Sequence, residues 1–276
     1  MSSLHKSILI LMFVLPLVAF SPPVGQSVPA ASEMPSNWRK LDNDAFKTGE
    51  KLVYEVSYGF FTAGTATFES ENSFVNYKDR SCYRLHGIVK SATSFEWFYK
   101  LHNEFHTYVD REAVVPHHYT RSAREGDYKY DDSVVFDQQE GEVKGKKGTF
   151  EMPKYTQDMV SAFYYARTLP LRTAKTGSVF RIPVFIDDNV YDLGLTILGR
   201  ETINTRFGKV KTIKISPIIV ADRVFHDDDQ MVLWVSDDEN MIPVYCESPV
   251  TVGNIKAELK SYSGLMNKST AFLKQK

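Results

Sequence analysis

Apolar and polar residues alternate with period two along most of the chain. Leu52, Tyr54, Val56 and Tyr58 stand against Val53, Glu55 and Ser57, which predicts a strand with one apolar and one mixed face. A short connection at 59–63 leads into a second strand at 65–69, so the two form a hairpin. Further strands are predicted at 83–89, 104–109 and 118–124. Residues 128–136 and 142–150 flank the turn Gln138-Gln139-Glu140-Gly141, and the returning arm is polar enough to be an edge strand or a solvated flap. In the C-terminal half, 178–186 pairs with 191–198 across Asp187-Asp188-Asn189. Two more hairpins follow, 199–203 with 209–215 and 230–235 with 242–247, and a last strand at 253–262.

One segment breaks the alternation. Gln157 to Leu169 reads QDMVSAFYYARTL, and Val160, Phe163, Tyr164 and Arg167 fall at i, i+3, i+4 and i+7, one face of a helix. Asp158 lies near its start, where a carboxylate suits the helix dipole, and Pro170 stops it. A second helical turn is predicted at 94–101. One helix among a dozen or so strands predicts a mainly β fold: a meandering antiparallel sheet with one central helix at about 157–169.

The first 30 residues have a different character. Lys6 precedes a 13-residue apolar run from Ile8 to Phe20, too short for the ~20 residues of a membrane helix and right for a signal-peptide core. Cleavage is expected between about residues 19 and 30, at Leu17-Val18-Ala19 or Val28-Pro29-Ala30. No cysteine stands near either site, so lipid attachment is not expected. Residues 31–43 follow as a flexible leader, 44–264 as a single β domain and 265–276 as a C-terminal tail. No later apolar run is long enough to span a membrane. The expected location is the periplasm.

Charge and motifs exclude more than they identify. With 33 basic and 34 acidic residues the formal charge is −1, which gives no general pull toward nucleic acid. Gly-x-Ser-x-Gly, Gly-x-Gly-x-x-Gly and the P-loop are missing, so neither a hydrolase elbow nor a nucleotide cradle is read, and no cofactor is expected. His102, Glu104 and His106 share one strand face and are the weak metal candidates; the half-exposed polar face is the competing reading. His226-Asp227-Asp228-Asp229 lacks the calcium-loop pattern and reads as a solvated turn. Cys82 and Cys246 either pair in an oxidising compartment or remain two buried thiols.

The order of motifs resembles the DUF3108 family of exported bacterial proteins. The residues that carry the resemblance are Phe46-Lys47-Thr48-Gly49-Glu50-Lys51-Leu52 running into Tyr54 and Val56, then Gly64, and the helix 158–167 followed by Leu169-Pro170-Leu171. Gly199-Arg200-Glu201, Gly208, Trp234-Val235-Ser236-Asp237-Asp238, Pro243 and Gly253 complete it, over about residues 44–262. The resemblance implies an envelope location in Gram-negative bacteria, no established activity, and a strongly curved sheet rolled into an open or spiral barrel. In such a fold the aromatic helix plugs the concave face, and Arg167 is placed to pair with Glu50 or Glu55.

Two roles then stand for the helix: Ser161 and Arg167 lock the plug, or they face a ligand. Tyr54, Tyr58, Ser161, Tyr164 and Arg167 are the candidate binding residues. The functional expectation is a non-catalytic envelope protein that holds a hydrophobic or envelope-derived ligand or partner (lipid, glycan or protein) in the concavity. The alternatives are an assembly factor with a filled barrel and an unrecognised hydrolase.

Overall fold

A computed structural model describes residues 38–219, 231–250 and 253–273. The expected signal peptide and the His226–Asp229 run lie outside the described residues.

The chain first lays down nine strands: β1 (Lys51–Tyr58), β2 (Phe61–Ser70), β3 (Val75–Tyr77), β4 (Arg80–Ser91), β5 (Leu101–Asp110), β6 (Pro116–Glu125), β7 (Tyr128–Asp137), β8 (Glu142–Gly145) and β9 (Gly148–Glu151). The helix α1 (Met159–Ala166) follows. Six more strands complete the chain: β10 (Val179–Ile186), β11 (Asn189–Thr205), β12 (Gly208–Ile219), β13 (Val232–Ser236), β14 (Pro243–Pro249) and β15 (Asn254–Ser263).

All 15 strands belong to one sheet, in the order β10-β11-β12-β13-β14-β15-β1-β2-β4-β5-β6-β7-β8-β9, with β3 attached to β4. The ladder pairings are antiparallel, and the first strand lies beside the last: Leu52 faces Tyr262 and Tyr58 faces Ile255. The sheet is therefore a barrel-like meander whose two free edges, β9 and β10, are neighbours in sequence. The segment carrying α1 joins them. Just before the helix, Gln157 bridges to Val184 of β10. Its N–H donates to the Pro183 carbonyl and its carbonyl accepts from the Phe185 N–H, each at 2.8 Å. Part of that edge is thus covered, and Pro183 sits where a strand tolerates proline, at the sheet margin.

The alternation read in β1 is the inward face: Leu52, Tyr54 and Val56 are buried in one core cluster with Phe68, Leu85, Ile197 and Ile213. The turn at Asp187 and Asp188 has positive φ at both residues (46° and 66°), which suits a tight two-residue hairpin.

Several expectations are corrected. The helix runs 159–166 rather than 157–169. Residues 93–98 form hydrogen-bonded turns, with Leu101 already in β5. The polar arm expected as one strand at 142–150 is two short strands, and only β9 is the edge. Strand β11 runs unbroken through Gly199, where the register shifts, so that glycine is a bulge rather than a hairpin end. Residues 38–43 are tied down instead of forming part of a loose leader: Arg39 donates to the Ala113 and Val114 carbonyls and Leu41 N–H to Glu112. In the tail, Ala271 is buried and Phe272 packs on Phe207 and Tyr262.

Candidate functional site

The helix owes its start to a capping box. Asp158 Oδ1 accepts the N–H groups of Val160 and Ser161 at 2.8 Å, and Ser161 Oγ accepts the Asp158 N–H at 2.8 Å. Asp158 Oδ2 accepts the Thr107 hydroxyl at 2.6 Å, which fastens the helix start to β5. Ser161 is fully buried in this arrangement, so its hydroxyl serves the cap.

Burial pushes the Asp158 carboxyl up to about 6, against hydrogen bonds from Thr107, Ser161 and Val160 that favour its charge. Its folded pKa lies above the unfolded value of 3.8, so the folded protein holds the proton more tightly between pH ~4 and ~6. The stability this contributes is full below pH ~4 and is lost as pH rises through ~6, an effect of roughly 3 kcal/mol. Asparagine caps helices as well as aspartate does. Asp158→Asn should therefore abolish this downward slope while keeping α1 docked. Urea midpoints of both proteins between pH 4 and 7 check it; parallel curves would refute it.

At the other end of the helix Arg167 is buried against Glu50. Its Nη1 and Nη2 donate to the two Glu50 carboxylate oxygens at 2.6 and 2.8 Å. Nη2 also donates to the Ala45 carbonyl and Nε to the Asn240 carbonyl, each at 3.0 Å. Burial alone would lower the Arg167 pKa; the charge of Glu50 and its hydrogen bonds outweigh that and raise it. Of the two carboxylates considered, Glu50 takes the arginine; Glu55 pairs with Arg206 and Lys260 on the other face.

Between helix and sheet lies an apolar cavity of about 110 Å³. Met159, Ala162, Phe163 and Ala166 line it from α1, and Ile186, Leu193, Leu195, Ile215, Leu233 and Val235 from the sheet. Among the described residues Arg167 is the one charged residue in the lining, and its charge is already met by Glu50. The half-buried lining residues Leu193, Pro217, Met231 and Leu233 lie toward the sheet end where β12 finishes and β13 begins.

Of the five candidate binding residues, only Arg167 reaches this cavity. Tyr54 is buried and donates to the Pro243 carbonyl at 3.0 Å. Tyr58 is half-buried at the end of β1. Tyr164 is buried against Phe46, with ring centroids 4.8 Å apart. The cavity-facing stripe is 159, 162, 163 and 166, one position back from the stripe 160, 163, 164 and 167.

The histidine candidates share the outward face of β5. Glu104 Oε1 is 2.9 Å from His102 and Oε2 is 3.9 Å from His106, so one carboxylate spans two rings that do not converge. A different set does converge: side-chain donors of Cys82, Asp110 and His117 lie within 4.8 Å of one another. It has the composition of a Cys-His-Asp triad, and its surroundings serve packing. Arg80 engages both Asp110 oxygens at 2.6 and 2.9 Å, and the N–H groups of Glu112 and Ala113 add two more bonds. These partners hold Asp110 ionised, well below the usual carboxylate range, although burial opposes it. A cation entering here would meet a guanidinium already bound to the carboxylate. Burial pushes the Cys82 thiol up to about 12, so it is protonated and a poor nucleophile.

The cysteines do not form a disulfide. Cys82 and Cys246 are both free and buried. The pleat explains it: Tyr83 and Leu85 enter the core, which turns Cys82 to the outer face, while Cys246 belongs to the core beside Val244. Four strand spacings, about 19 Å along the sheet, separate β4 from β14, against ~4–7 Å between bridged Cα atoms.

A family profile described as a protein of unknown function, DUF3108, matches residues 53–260. The chain belongs to the DUF3108 family. Among solved structures, a β-barrel-like DUF1849 protein of Brucella abortus covers 80% of this chain and 99% of its own, with TM-score 0.51 and 11% identity. That likeness supports the barrel-like fold of this DUF3108 chain. A DUF1089 protein of Pseudomonas aeruginosa (12% identity, TM-score 0.34, 70% of this chain and 94% of its own) is more distant. So is a Bacteroides fragilis protein described as exported, with a YmcC-like fold (9%, 0.30, 82% and 99%). No curated protein matches the sequence. Among the described residues, no helix is long and apolar enough to cross a membrane.

Proposed function

We propose that this DUF3108 protein is an exported, periplasmic β protein whose cavity under α1 takes the apolar end of an envelope-derived ligand. The cavity carries the reading. Among the described residues its walls are hydrocarbon apart from Arg167, whose charge Glu50 has neutralised, so these walls favour an apolar occupant. Volume sets the ligand's size. A drug-sized site holds ~300–1,000 Å³, whereas an apolar cavity of ~150 Å³ takes benzene. At about 110 Å³ the space suits a chain end or a single ring rather than a whole lipid. The signal-peptide pattern at the N-terminus supports export.

Isothermal titration calorimetry with toluene, a single ring, tests this. The wild type should bind it. Ala166→Leu, which adds three carbons where the cavity is, should weaken binding at least about fivefold at unchanged Tm. No binding by the wild type, or equal binding by the variant, would favour a filled scaffold with no ligand.

A further inference from the structure

Antiparallel strands put alternate turns at the same end of a sheet. The β1–β2 turn and the β4–β5 connection therefore share one rim, and the Ala92 N–H donates to the Ala63 carbonyl at 2.8 Å where they meet. Their tips carry large apolar side chains that stand exposed among the described residues. Phe60 is 104% exposed, Trp97 84%, Phe61 68% and Phe98 51%. Single exposed apolar residues are ordinary; four on two adjoining hairpin tips are a patch. Tyr128 stands exposed at the next tip along, since the Gly126 N–H donates to the Lys100 carbonyl at 2.8 Å.

Two cations flank the aromatics. Lys100 lies 4.0 Å from Glu96, and Lys90 makes no ion pair among the described residues. Between the tips the turn 59–61 has no charged residue at all. Aromatic rings with lysines at their base match the chemistry of a bilayer interface, where rings sit at headgroup depth and ammonium groups meet lipid phosphates. The shape points the same way. Protruding tips need a surface that yields around each side chain, and a fluid headgroup layer does so without a matching groove. The half-buried end of the apolar cavity lies at this same rim, because β12 ends and β13 begins on the side where β1 ends.

We propose that this rim is a membrane-contact surface, in which Phe60, Phe61, Trp97 and Phe98 insert into the interface of a lipid bilayer containing anionic headgroups. The contact is made by apolar insertion, with Lys90 adding a minor attraction while Glu96 on the same tip offsets Lys100, in keeping with a near-neutral chain. It stands on the exposed tips and does not require the cavity to be occupied.

Co-flotation of the isolated chain with vesicles of phosphatidylethanolamine and phosphatidylglycerol tests it. The wild type should float with the vesicles. Phe60→Ser/Phe61→Ser/Trp97→Ser should bind at least about tenfold more weakly at unchanged Tm, since binding scales with buried apolar area. Ala166→Leu should float like the wild type, which separates this proposal from the ligand reading. Failure of the wild type to float would overturn it, as would equal floating of the triple variant or binding abolished by salt. So would a dimer in sedimentation that the triple variant dissolves, because the patch would then be the interface between two copies.

Discussion

Arg167→Ala is expected to lower stability by about 3–5 kcal/mol and Tm by about 10 °C or more, read by urea and thermal unfolding. The substitution leaves the Glu50 carboxylate fully buried with its bidentate partner gone, and strands the Ala45 and Asn240 carbonyls. Glu50→Ala should cost a similar amount, because it leaves a buried guanidinium. Burying two charges is itself expensive, so the pair need not add much net stability over an apolar pair of the same shape. Glu50→Leu/Arg167→Met should therefore recover most of the loss. If each single variant costs less than about 1 kcal/mol, water or another group reaches the site and the reading of a dry lock fails. The same residues join four pieces of chain: the strap around Ala45, the start of β1, the end of α1 and the β13–β14 turn at Asn240. Their loss should thus loosen the helix and the strap together, and amide exchange would show both regions opening at once.

Gly264→Ala should rival it. A Cβ built on Gly264 falls 2.0 Å from the Gly49 carbonyl oxygen and 2.7 Å from its carbon, and the residue holds φ = +67°. Neither neighbour is a flexible side-chain end, so one backbone segment must move, and the one nearest is the turn that delivers Glu50. The left-handed conformation alone costs alanine about 1 kcal/mol, and the displaced backbone adds more. We expect a loss of several kcal/mol in urea unfolding. Gly59→Ala is the control for generic glycine effects: its added Cβ meets nothing within 4 Å, though φ is +57°, so it should cost only about 1 kcal/mol. Equal losses in the two variants would remove the steric argument.

What could be read from the sequence depended on how local the controlling physics is. The β1 face was legible because Leu52, Tyr54 and Val56 repeat the pleat's own period. The arginine's partner was legible only through the family resemblance, whose curved fold sets the aromatic helix against the sheet and made Glu50 and Glu55 examples of the carboxylate Arg167 would meet. The cavity stripe was not. Every residue of α1 is buried or half-buried, so Met159–Ala162–Phe163–Ala166 and Val160–Phe163–Tyr164–Arg167 obey the same 3.6-residue period, and spacing cannot say which stripe meets empty space. Gly199 misled because a glycine between two apolar runs marks a turn and a bulge alike. The cysteine faces follow from parity, since Cys82 precedes the inward Tyr83 by one residue. Using that rule required knowing that Cys246 points inward. The rim of exposed aromatics was half legible: the hairpin connection at 59–63 already set Phe60 and Phe61 at a tip, whereas 94–101 read as a helical turn, and only the pairing of β2 with β4 and of β4 with β5 brings Trp97 and Phe98 beside them.

The pairing of β1 with β15 bears on how the molecule is assembled. A chain emerging N-terminus first can zip β1 to β2 and onward through β9, but β1 keeps one side unmatched until residues 254–263 arrive, about 200 positions later. That last step joins distant parts of the chain, the slowest kind of contact to form. Until then β1 offers a row of unpaired amides and carbonyls to any passing strand. A product truncated before Asn254 would keep that row exposed permanently, along with the outer edge of β14. Such fragments should be drawn into aggregates or held by chaperones, whereas the full-length chain closes the gap itself.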